Sequence, residues 1–109
     1  MGLKKLQKEV DVWINEYGVR YFDPLTNMAQ LTEEVGEVAR IIARRYGEQS
    51  EKDSDKNKNL AEELSDVVFV VLCLANQTNC DLEAAFKEKL KLKIERDLIR
   101  HQNNPKLKK

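Results

Sequence analysis

The stretch "LAEELSDVVFVVLCLANQ", residues 60–77, decides the fold. Its four valines would suit a β-strand, and residues 67–75 are apolar without a break. The run nevertheless continues out of "NLAEEL" at helical spacing and exceeds the length of an ordinary strand, so it reads as a helix. A helix apolar nearly all round belongs at the centre of its assembly. It is still far short of the roughly 20 apolar residues of a membrane span, so no membrane partner is expected.

Three more helices surround it. The first is expected over about residues 3–17, where Leu3, Leu6, Val10, Trp13, Ile14 and Tyr17 recur three to four apart and Gly18 stops the run. In "FDPLT", Asp23 offers an N-cap and Pro24 takes the first helical position. The second helix then runs to about Tyr46, with Leu31, Val35, Val38 and Ile42 as its seam and Gly47 at its end. Residues 47–59, "GEQSEKDSDKNKN", contain no apolar side chain and read as a solvated loop. Asn79 and Asp81 mark the next turn, and a fourth helix from about Leu82 uses Phe86, Leu90, Ile94 and Leu98. The expectation is an all-α, four-helix-bundle-type domain over residues 1–103, with the basic tail 104–109 disordered.

Composition agrees with one such domain. A chain of 109 residues has room for one core, and 35% charged residues suits helices with busy outer faces. The formal net charge is zero but unevenly spread: residues 87–109 hold nine Lys/Arg against three Asp/Glu. An acidic body with a basic end points to nucleic acid or to a phosphate-bearing small molecule. The first ten residues lack the apolar core of a signal peptide, and Leu6 stands where a myristoylation signal needs Ser or Thr. Cys73 and Cys80 form no CxxC motif and read as two buried free thiols in a reducing cytoplasm.

The acids are harder to explain as ornament. "EEVGE", residues 33–37, and "EELSD", residues 62–66, each place carboxylates three apart, and on a helix such residues share a stripe. Glu34 and Glu37 border the Leu31/Val35/Ile42 seam, while the stripe of Glu63 and Asp66 continues into Val67, Val70 and Leu74. Asp66 is therefore expected to be held away from solvent and to need a partner. Acids that converge repel one another and lose hydration unless cations compensate. Lys or Arg ion pairs would serve for one pair of acids. Two pairs at identical spacing, on two helices, favour Mg²⁺, which takes hard oxygen ligands and is used with phosphate-bearing substrates.

Glu34-Val-Gly-Glu37, twenty-five intervening residues and Glu63-Leu-Ser-Asp66 resemble the ExxE…ExxD signature of the MazG-like nucleoside triphosphate pyrophosphohydrolases. The likeness takes in the approach "YFDPLTNMAQLTEEVGE" and the apolar run after Asp66. It implies a helical, cytosolic homodimer or homotetramer that cleaves a nucleoside triphosphate to the monophosphate and pyrophosphate with Mg²⁺, for which Mn²⁺ can substitute. It also implies that Glu34, Glu37, Glu63 and Asp66 are the metal ligands. Glu33 and Glu62 match the extra acids beside them, as groups that orient the ligands or as the base that activates water. Lys93 and Arg96 in "KIER" best match a basic phosphate-contacting element, although Ile94 stands where the family has an aromatic. A clearing role against non-canonical nucleotides fits such an activity.

The chemistry agrees with the charges. A triphosphate is repelled by bare carboxylates and attracted once cations fill them, and two ions about 3.5–4 Å apart can bind water and phosphate oxygens together. Lys89, Lys93, Arg96 and Arg100 form one helical stripe; it reads equally as a balance for a leaving pyrophosphate or as a solvated face. The polar loop 47–59, with Lys52, Lys56 and Lys58, is expected to be mobile without substrate and to close over the phosphates. His101, the only histidine, reads as a surface residue, and Trp13 and Tyr17 read as core rather than as base-stacking groups. Two alternatives stand beside this function. One is a phosphoribosyl-ATP pyrophosphatase, whose acidic motifs differ. The other is a non-enzymatic helical module that binds nucleic acid or associates through the basic end.

Overall fold

A computed structural model of the chain describes residues 2–108, so the domain expected over 1–103 and the tail over 104–109 each extend one residue beyond what is described. Four α-helices and two short 3-10 turns account for its regular structure, and the described residues include no strand. The helices are α1 (Leu3–Glu16), α2 (Pro24–Tyr46), α3 (Leu60–Gln77) and α4 (Leu82–Gln102). None is long and apolar enough to cross a membrane.

The helix starts follow local chemistry. Asp23 accepts from the backbone N–H of Thr26 at 2.8 Å, with Pro24 opening α2. Asn59 accepts from Ala61 at 2.8 Å, and Asp81 from Ala84 at 3.1 Å. Each satisfies an amide that the first turn leaves without an intrahelical partner. In the tail, Asn104 caps a single 3-10 turn, Pro105–Leu107.

α3 is the centre. α2 packs along it, α1 packs beside it, and α4 rests mainly on α1. The buried side chains of α3 all lie in its second half, at Val70, Leu72, Cys73 and Ala75. Polar groups lock that end. Gln7 donates to Asn76 Oδ1 at 3.1 Å and to the Cys80 carbonyl at 2.9 Å, and accepts from the Leu82 amide at 3.1 Å. Asn76 in turn donates to the Gln7 carbonyl and to the Tyr21 hydroxyl, which donates to Asp11. This is why Gln7, on an otherwise apolar face, is buried.

Several expectations change. The seam of α2 is rotated: Asn27 and Ile41 are buried, whereas Val35 and Ile42 are 48% and 40% exposed. The stripe turned toward α3 is Asn27–Glu34–Ile41, and the acids lie on it rather than beside it. Trp13 and Tyr17, expected in the core, are 49% and 72% exposed; Ile14 is the apolar residue that α1 buries, and Trp13 only edges onto α3 at Phe69. Cys73 is buried, but Cys80 is exposed in the α3–α4 turn, where no element covers it.

The loop 47–59 is polar yet anchored. Arg45, in the last turn of α2, donates to Glu51 Oε1 at 2.8 Å and to the carbonyls of Asp55 and Lys58 at 3.1 Å each. Arg40 meets Asp55, which is only 4% exposed. Cations from α2, rather than apolar side chains, fold this segment down.

The chain alone is open. Its radius of gyration is 17.7 Å, against about 13 Å for a compact domain of this size. Its accessible surface is 8677 Å², against roughly 6,200 Å² for a compact monomer of this mass. α4 buries no residue, and Phe86, Leu90, Ile94 and Leu98 all remain exposed.

Candidate metal and nucleotide site

Acids from the middle of α2 and the first turns of α3 meet across the α2–α3 contact. Glu34, Glu37 and Glu63 each place a carboxylate oxygen within 4.8 Å of the others. Burial, followed by the charges of Asp66, Glu37, Glu63 and Glu33, raises the Glu34 pKa above its ordinary value. Glu63 is raised as well, first by burial and then by its contact with Glu37, with Lys58 pulling the other way. Glu63 Oε2 is buried, and among the described residues no donor reaches it. A neighbouring carboxylate can bond Glu63 only if one of the pair holds a proton, which adds to the upward shift that burial begins.

Asp66 differs from the expectation. It is exposed, because only the second half of α3 is enclosed on several sides, and it lies outside the tightest group of three. It is still close enough to be the leading charge acting on Glu34, and both line one cavity. Glu33 and Glu62 flank the group from exposed positions.

Lys93 and Arg96 are not brought to the acids within one chain. α4 rests on α1, away from the α2–α3 contact, and Arg96 pairs with its neighbour Asp97 at 3.3 Å. The cation that acts on Glu63 is Lys58, at the end of the anchored loop.

The donor set fits a hard divalent cation. It consists of carboxylate oxygens, one of them orphaned, whose shared charge has little internal compensation. Ordinary ion pairing does not explain it: Arg40 and Arg45 are engaged by Asp55 and Glu51 instead.

Beside the acids lies a cavity of roughly 360 Å³, walled at one end by Glu34 and Asp66 and elsewhere by Trp13, Asn27, Gln30 and Phe69. Its size is that of a small-ligand pocket. Trp13 meets Phe69 edge to face, with centroids 5.8 Å apart. Neither Asn27 nor Gln30 was among the expected site residues. The sequence did carry a signal: they precede Glu34 by seven and four residues, which puts them on its helix face.

Comparison with known proteins shows the family and the fold. The family model described as the MazG nucleotide pyrophosphohydrolase domain matches residues 22–102. YpjD, an uncharacterised Bacillus subtilis protein, is 47% identical over 83 residues, which is 76% of this chain and 75% of that protein. The crystal structure of B. subtilis YpjD superposes with a TM-score of 0.76 at 42% identity, covering 89% of this chain and 97% of that one. A Bacillus-conserved MazG protein, a nucleotide pyrophosphohydrolase, superposes with a TM-score of 0.69 at 42% identity, over 84% and 87% of the two chains.

Proposed function

The chain belongs to the MazG nucleotide pyrophosphohydrolase family, and from that premise we propose that it cleaves a nucleoside triphosphate to the monophosphate and pyrophosphate, with Mg²⁺ held by Glu34, Glu37, Glu63 and Asp66. The observation that carries this reading is the group of carboxylates from α2 and α3 with an orphaned oxygen, opening into a cavity of nucleotide-compatible size. When bound, the cation neutralises phosphate charge and makes water more acidic.

The chain's own groups supply the rest. The acids fix the phosphate end of the substrate, and the cavity takes the remainder of the nucleotide. Water adds its oxygen across the α–β anhydride, that bond breaks, and the proton shed by water goes to a carboxylate beside the group. Glu33 or Glu62 is suited to that step, since each adjoins a ligand and stays open to solvent. Lys58 stands nearby to balance charge on the departing pyrophosphate. The unpaired cysteines suit a reducing cytoplasm.

A second copy completes the molecule in this reading. The unburied apolar sides of α2 and α4 and the excess surface support a homodimer or a dimer of dimers. Lys93 and Arg96 would then reach phosphates only from a partner chain. Sedimentation showing a stable monomer at micromolar concentration would contradict the assembly.

Product identification tests the activity. With Mg²⁺ or Mn²⁺, monophosphate and pyrophosphate should appear in equal amounts and stop with chelator. Diphosphate and orthophosphate, or turnover indifferent to chelator, would overturn the reading.

A further inference from the structure

Asn27 is a buried amide at the cavity wall, and its orientation is set by neighbours that leave no choice. The Phe22 carbonyl can only accept, so Gln77 presents its Nε2 there, at 2.8 Å. The Gln77 Oε1 consequently faces Asn27, which must present Nδ2, also at 2.8 Å. A second, longer bond from Nδ2 reaches the Phe22 carbonyl at 3.4 Å. Both donor hydrogens of Asn27 are thereby spent on the protein. Among the described residues no donor reaches Asn27 Oδ1, and that oxygen is not sealed from solvent. The amide is thus a fixed acceptor on a wall that otherwise offers Trp13 and Phe69 as aromatic surface.

The same face of α2 connects this acceptor to the acids. Asn27, Gln30 and Glu34 lie at i, i+3 and i+7, so that Asn27 sits two helical turns from Glu34, roughly 10 Å along the axis. A nucleotide with its first phosphate at the acids would carry its base to the Asn27 end, against the exposed indole of Trp13.

We infer that Asn27 is a specificity-determining residue whose Oδ1 selects bases bearing an exocyclic amino group, cytosine and adenine, over their oxo counterparts, uracil and hypoxanthine. An amino group donates to Oδ1. An oxo group in its place sets two acceptors against each other and leaves the buried amide unpaired, a loss that binding sites built around a hydrogen bond register strongly. This inference rests on the reading of the acids as the phosphate end of a nucleotide site, and the test separates the two.

The wild-type protein is assayed for pyrophosphate release on two isosteric pairs, dCTP against dUTP and dATP against dITP. The amino member should lead in both pairs by about tenfold or more in kcat/KM. Asn27→Ala should bring each ratio close to one while cleavage persists on both members. Equal rates within both pairs for wild type, or ratios that survive Asn27→Ala, would overturn the inference and leave the pyrophosphohydrolase reading intact. Calorimetry in Mg²⁺ with dCMP and dUMP, which have no anhydride bond to cleave, supplies a readout that needs neither turnover nor the variant. A protein that cleaves no triphosphate yet binds dCMP about tenfold more tightly than dUMP would refute the proposed function and uphold the role of Asn27. Equal binding, or none, would refute the role.

Discussion

The two halves of α3 treat polar atoms in opposite ways. At its C-terminal end, Asn76 and Gln77 are held by Gln7, Tyr21, Asn27 and the Phe22 carbonyl, with hydrogen bonds satisfied across three segments of chain. At its N-terminal end, Glu63 has a buried oxygen that no donor among the described residues reaches, and it faces two other acids with Lys58 the one cation acting on it. One end spends its polar groups on the fold. The other keeps them unspent, at a cost in desolvation and repulsion that a purely structural helix would avoid. The unpaired charge is what the proposed cation site uses, and the paired amides are the scaffold that holds it.

The largest expected effect lies at the unspent end. Glu37→Gln should lower pyrophosphate release by about a thousandfold or more, since it removes a charged ligand without changing shape. Stability in chelator should stay level or rise, because like-charge repulsion is relieved. A variant that keeps a tenth of its activity would break the contrast.

The paired end should answer in stability instead. Gln7→Ala strands the Leu82 amide, the Cys80 carbonyl and part of Asn76 at once, and should cost about 2–4 kcal/mol in urea unfolding. A loss below about half a kcal/mol would mean that water replaces those bonds freely.

A smaller effect attaches to Tyr21 in the same network. Burial, and then the bond donated to Asp11, push its hydroxyl up to about 12 from 10.0. A phenol whose pKa is higher in the folded than in the unfolded state stabilises fully below the unfolded value. That contribution is lost as pH rises from about 10 through 12. Tyrosinate absorbance should show one tyrosine that stays protonated until the alkaline transition, and Tyr21→Phe should remove it. Ionisation of every tyrosine well before unfolding would show the network to be loose.

The sequence made some of this legible and hid the rest for physical reasons. The start of α2 could be read because Asp23 is a local cap that acts within three residues, and the α3–α4 turn because Asp81 stands in it. The acids could be read because Glu34/Glu37 and Glu63/Asp66 repeat one spacing. The rotation of α2 could not: Val35 and Ile42 are as apolar as Ile41, and this chain carries more apolar surface than it buries alone. Nor could the exposure of Asp66, which depends on how little covers the first half of α3. Arg40 and Arg45 look like ordinary surface cations until the loop that they hold has folded back to them. Asn27 is an ordinary polar residue in sequence, and its meaning comes from Gln77, fifty residues away.

The central claim is that the acids of α2 and α3 are kept for a divalent cation. Thermal melts of wild type and Glu63→Gln, each in chelator and in Mg²⁺, test it most directly. Mg²⁺ should raise the wild-type melting temperature, because an ion that binds only the folded state stabilises it by mass action. In chelator the variant should melt at or above the wild type, and Mg²⁺ should move it far less. A wild type indifferent to Mg²⁺, beside a variant destabilised in chelator by the roughly 3–5 kcal/mol expected when a buried ion pair loses one partner, would contradict the account.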